Sequence, residues 1–138
     1  MRVRNEDRVV ALLYSDWGHE NTEMTPSSRY LVCAEQFHRG LKALLKKKYG
    51  DGLKKYRKDI DCYYTSAFFQ IEKDGKVKTF YLYVPDHRLV PMGYRDVLFR
   101  EARDMQDYAG YQNNNIHIYN FPMEMYSLID SSFEEEEE

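Results

Sequence analysis

Two cysteines, four prolines, seven scattered glycines and no apolar run longer than six residues set the first limits on this 138-residue chain. A membrane-spanning helix needs about 20 consecutive apolar residues, so no span is expected. The first eight residues, Met1-Arg2-Val3-Arg4-Asn5-Glu6-Asp7-Arg8, are too charged for a signal peptide, and a cytoplasmic location is the expectation. Cys33 and Cys62 lack metal-type spacing. Reading their surroundings as a helix interior and a strand predicts two buried free thiols, in keeping with a reducing compartment and unsuited to nucleophilic catalysis. The glycines form neither a P-loop nor a dinucleotide fingerprint, so nucleotide hydrolysis is not expected and no cofactor is implied.

What the chain has in quantity is tyrosine, 13 residues of it, and charge arranged in blocks. The net charge is −3, yet Glu134 to Glu138 alone contribute −5, leaving +2 on the rest. Between Arg39 and Lys58 nine Lys or Arg face a single acid, Asp51. This pattern predicts a basic surface and a disordered acidic tail over residues 131–138, following one domain over 1–130.

The apolar run Val9-Val10-Ala11-Leu12-Leu13-Tyr14 predicts a central strand ending near Asp16. After a loop, Thr25-Pro26-Ser27-Ser28 carries helix-start residues, and Tyr30, Ala34, Phe37, Leu41, Leu44 and Leu45 recur on one helical face. A helix over 27–49 stopped by Gly50 follows, with 51–58 as a basic connector. Asp74-Gly75 between two stretches rich in aromatic and β-branched residues, Cys62 to Ile71 and Val77 to Val84, is a type I′ hairpin signal. Tyr94, Val97, Leu98, Ala102, Met105 and Ala109 suggest a second helix over 93–109, with ion pairs Asp96/Arg100 and Arg103/Asp107 on its wet face. Ile116 to Tyr119 reads as a last strand, and Phe121 to Ile129 as a segment apolar enough to dock.

The resulting order, strand, helix, strand, strand, helix, strand, is that of the α+β ferredoxin-like βαββαβ sandwich, a four-stranded antiparallel sheet with two helices on one face. The alternative is another two-layer α+β fold in which residues 51–58 form a third helix.

A two-residue turn at Asp74-Gly75 sets Lys73 opposite Lys76 and Glu72 opposite Val77. Ala67, Phe69, Ile71, Phe80, Leu82 and Val84 then share the core face, and Tyr64, Ser66, Phe68, Gln70, Thr79, Tyr81 and Tyr83 the other. With Ile116 and Ile118 inward, His117 and Tyr119 join that second face. In the ferredoxin-like order Lys46, Lys47, Lys54, Lys55, Arg57 and Lys58 adjoin Tyr83, Arg88 and Tyr119.

Aromatics for stacking beside cations for phosphates point to a non-enzymatic protein that holds single-stranded nucleic acid, RNA in preference, on Tyr64, Phe68, Tyr81, Tyr83 and Tyr119. The topology resembles that of RRM domains, although Lys76 to Val84 lacks their glycine-containing RNP1 pattern. A second reading makes the aromatic face a protein interface, of a regulator or inhibitor of accessory or viral type, or of a homodimer. A third takes Asp16 with His19, Glu20 and Glu23 as oxygen and nitrogen donors for a divalent metal. Here Leu13-Tyr14-Ser15-Asp16 and Ile116-His117-Ile118-Tyr119 resemble the first and last strands of small ferredoxin-like metal-dependent nucleases, which implies a carboxylate at a strand end; the resemblance stops at those two segments. His87, between Asp86 and Arg88, has the chemistry of an acid–base residue, with no Ser or Cys nucleophile tied to it by a motif.

Overall fold

A computed structural model describes residues 5–18, 27–85, 96–108 and 113–134. The elements run α1 (Asn5–Tyr14), α2 (Ser28–Tyr49), β1 (Leu53–Ile60), β2 (Thr65–Lys73), β3 (Lys76–Val84), β4 (Asp96–Ala102), β5 (Asn114–His117) and α3 (Met123–Glu134). The five strands form one antiparallel sheet in the order β1-β2-β3-β4-β5. The chain is thus α+β, as expected, but its meander of five consecutive strands between helices is not the βαββαβ succession.

Three reassignments account for the difference. Val9 to Tyr14 is helical: Val9 and Leu13 are buried one turn apart while Arg8, Ala11 and Tyr14 are exposed. A six-residue run apolar on every side satisfies the periods of helix and strand alike. Residues 51–58 form neither connector nor helix; after a 3-10 turn at Gly50–Gly52 they enter edge strand β1. The segment expected as the second helix is strand over Asp96–Ala102, with Val97 and Phe99 buried in the core and Leu98 and Arg100 on the opposite face. Of the two ion pairs expected there, Arg103–Asp107 forms at 3.4 Å. Asp96 instead meets His117 at 2.7 Å.

The hairpin has the expected register, Lys73 opposite Lys76 and Phe69 opposite Phe80. Asp74 and Gly75 have φ of 54° and 81°, the left-handed pair that a type I′ turn requires. The first arm begins later than its composition suggests, because residues 61–64 turn: Asp61 N–H donates to the Tyr64 carbonyl, and the Tyr30 hydroxyl lies 2.7 and 2.6 Å from the carbonyls of Asp61 and Tyr64.

Helix α2 occupies its expected range, with the Ser27 hydroxyl capping Tyr30 N–H and all six stripe residues buried. Gly40 lets α1 approach; a Cβ there would stand 2.8 Å from Val9 Cγ2. The core lies between the sheet face bearing Phe69, Ile71, Phe80, Leu82, Val97, Phe99 and Ile116 and the three helices. The segment expected to dock is α3, and it carries order to Glu134, with Ser132 and Phe133 buried past the Ser131 boundary. No helix among the described residues is long and apolar enough to cross a membrane.

Candidate binding surfaces on the two sides of β1

The sheet face away from the helices is built in rows set by strand register. One row carries Arg57, Phe68, Tyr81 and Arg100, from β1 to β4. The next carries Asp59, Ser66, Tyr83, Leu98 and Asn115. The aromatics expected here are on this face, but it is not an open platform.

Residues 103–108 fold back over the first row. The Tyr108 ring stands edge-on to Phe68 at 5.0 Å and to Tyr81 at 6.1 Å. Arg57 fastens this cover from β1, donating to the Met105 carbonyl and to the Tyr108 hydroxyl, with its guanidinium 5.2 Å above the Phe68 ring. Arg100 does so from β4; 3% exposed, it lies 4.7 Å over the Tyr81 ring and 3.3 Å from the equally buried Asp107 carboxylate. Hydrogen bonds from the backbone and side chain of Arg103 hold Asp107 below the usual carboxylate range, as do the charges of Arg103 and Arg100. Phe68 is in consequence 1% exposed, a supporting residue rather than a contact.

The rings left accessible form a rim: Tyr108 at 55% exposure, Tyr64 at 38%, and half-buried Tyr81 and Tyr83. Tyr64 lies 5.5 Å from Tyr83, and Tyr83 6.5 Å from Tyr81. The Tyr64 hydroxyl bonds to the Asp61 carboxylate, which raises the phenol to about 12 and lowers the acid. Tyr119 is 70% exposed and stacks on His117 at 5.5 Å; expected as the last residue of a strand, it sits instead in the 3-10 turn that follows β5, which ends at His117.

The basic residues divide between the two sides of the sheet. Lys55 and Arg57 align with Gln70 and Phe68 on the aromatic face. Lys58 aligns with Ala67 on the helix side and pairs with Glu35 of α2. Lys54, at a bulge in β1, is 4.0 Å from Glu72. Lys46 and Lys47 end α2, at the end of the sheet where Leu53 meets Ile71, and so do not adjoin Tyr83 and Tyr119 as expected. Arg88, His87, His19, Glu20 and Glu23 lie outside the described residues.

On the helix side, the sequence reading misses His38. It is buried, with Nδ1 2.7 Å from the Tyr56 hydroxyl and Nε2 2.6 Å from Thr65 Oγ1. Thr65 donates its own proton to the Asp59 carbonyl, so it accepts from His38 Nε2–H, and Nδ1 accepts from Tyr56. Burial, with the charge of Lys58, pulls His38 down to about 4 and keeps it neutral at pH 7; burial also raises the Tyr56 phenol. The one available signal was that a polar residue follows Phe37 on the apolar side of α2.

Asp16 follows a helix, not a strand, and its carboxylate accepts Gly18 N–H at 2.8 Å, which removes the strand-end geometry behind the metal reading. Among the described residues no three His, Cys, Asp or Glu come together to hold a metal ion. Cys33 is buried, while Cys62, expected buried in a strand, is exposed in the turn before β2. No protein-family model, curated protein or solved structure matches the chain.

Proposed function

We propose that this protein is a small non-enzymatic binding protein that holds single-stranded nucleic acid, RNA in preference to DNA, along the outer face of β1 to β3. The observation that carries the reading is the placement of Lys55 and Arg57 in register with an aromatic face whose accessible rings are Tyr64, Tyr81, Tyr83 and Tyr108. Base stacking on such rings is worth about 1–3 kcal/mol per base, and it tolerates any sequence because every base has a π-face. Phe68, packed under Tyr108, and Arg100, stacked on Tyr81, hold these rings in place. Lys54, at the β1 edge, supplies a further phosphate contact.

Anisotropy titrations of labelled single-stranded RNA and DNA at several salt concentrations test the reading. Log affinity is expected to fall linearly with log salt, by about 0.7 per phosphate contact. Tyr83→Ala and Lys55→Ala should each weaken binding by about tenfold, in line with the loss of one stacked base or phosphate contact. No binding at low salt ends the proposal.

A second reading, a protein-binding regulator or a homodimer, is favoured by the accessible Tyr64, Tyr83 and Leu98 side by side on that face. Tyr64→Ala and Leu98→Ala should then dissolve a complex seen by light scattering, and a strictly monomeric wild type that captures no protein counts against it.

A further inference from the structure

The opposite side of β1 carries a separate cavity. Glu35, His38, Arg39 and Lys42 follow one another at helical spacing along one face of α2, and Tyr56 and Lys58, two residues apart, project from the same side of β1. Together they line a space of about 300 Å³. Its floor is neutral, since His38 and Tyr56 are committed to one another and to Thr65. Its charge is therefore that of the rim, three cations against one carboxylate, net +2. Lys58 is engaged by Glu35. Among the described residues the side chains of Arg39 and Lys42 form no hydrogen bond or ion pair, although the Arg39 charge adds to the Lys58 hydrogen bond that holds Glu35 below the usual carboxylate range; two exposed cations thus border a concave space that holds a single carboxylate, already engaged by Lys58.

We infer that this cavity is a binding site for a phosphate monoester, with Arg39 and Lys42 taking the phosphate oxygens and Lys58 closing the rim. A guanidinium offers two parallel N–H donors to such a group and an ammonium adds a compact charge, and a dianion balances the rim's net +2. The Tyr56 hydroxyl, its proton directed to His38, presents lone pairs to a donor on the ligand. The site is independent of the tyrosine rim because the two lie on opposite faces of the sheet. A free mononucleotide and the phosphorylated end of a nucleic-acid strand present the same group.

The test is amide chemical-shift titration of the full chain with inorganic phosphate and with a 5′-mononucleotide, at constant ionic strength set with chloride. Saturable shifts at Arg39, Lys42, Tyr56 and Lys58, weakened at least tenfold in the Arg39→Ala/Lys42→Ala variant and retained in Lys47→Ala, are expected. The variant's dispersed spectrum shows that it folds, both side chains being exposed. A 5′-phosphorylated oligonucleotide that outbinds its unphosphorylated twin identifies a strand end as the source; equal binding by the twins, with mononucleotide still saturating the site, identifies the free small molecule. Absence of saturable shifts, or unchanged affinity in the double variant, overturns the site. Oligonucleotide binding that disturbs the tyrosine rim while inorganic phosphate and the mononucleotide leave these four residues still overturns the site as well, and leaves the outer-face reading standing.

Discussion

His38 joins α2 to the edge of the sheet as a neutral, doubly hydrogen-bonded ring. Its ordinary value near 6.5 applies to the unfolded chain, and the folded value is about 4, so between these the unfolded chain binds more protons. The stabilisation is complete above about pH 6.5 and declines as the pH falls toward 4, with a slope of up to about 1.4 kcal/mol per pH unit. Urea midpoints measured from pH 7 to 4 should show that decline in the wild type and a shallower one in His38→Gln. Arg100 poses the converse case, a buried cation whose removal strands a carboxylate. Arg100→Ala should cost about 3–5 kcal/mol in urea unfolding, near the low end because Arg103 still reaches Asp107. Replacing both partners, as in Arg100→Met/Asp107→Leu, should restore most of the loss. If the single and double variants unfold alike, the pair does not hold residues 103–108 over Phe68.

Among the elements, the β2–β3 hairpin depends most on local chemistry. Asp74-Gly75 supplies the turn, and the alternation on either side assigns each side chain to a face. Gly75→Ala puts a Cβ on a residue with φ of 81° where no atom crowds it, so the cost is conformational, about 1 kcal/mol, read as a lowered urea midpoint with unchanged slope. Strand β4 shows the opposite situation. Val97, Leu98 and Ala102 fit a helical stripe, yet Val97 and Phe99 also alternate, and β3 offers a hydrogen-bonding edge. Pairing with β3 and burial of Phe99 against Phe69 and Phe80 outweigh helix propensity, which is a weak prior.

Over the whole molecule, the charge pattern reads as two basic surfaces divided by the sheet. The acidic residues 134–138 bear on both, either as a competitor for the cations or as a solvating end. Because Phe133 is buried against Phe80, removal of residues 132–138 would damage the core, so residues 135–138 are the ones to delete. Competition predicts tighter oligonucleotide and phosphate binding after that deletion, most evident at low salt; unchanged affinity assigns the tail to solvation.

The sequence alone determined the hairpin register, the two faces of β2 and β3, and the limits and buried stripe of α2, because turn residues, caps and periodicity act over a few positions. Tertiary structure decided the rest. Val9 to Tyr14 and Val97 to Ala102 are short segments compatible with either period, and their neighbours chose between them. The fates of Phe68 and His38 depend on partners far along the chain: Arg57 grips the cover through Met105, 48 residues away, and His38 bonds Thr65, 27 residues away. Such pairings leave no local pattern, so the covered aromatic face emerges only once the sheet brings β1, β2 and the residues after β4 together, and the cavity beside His38 only once α2 packs on β1.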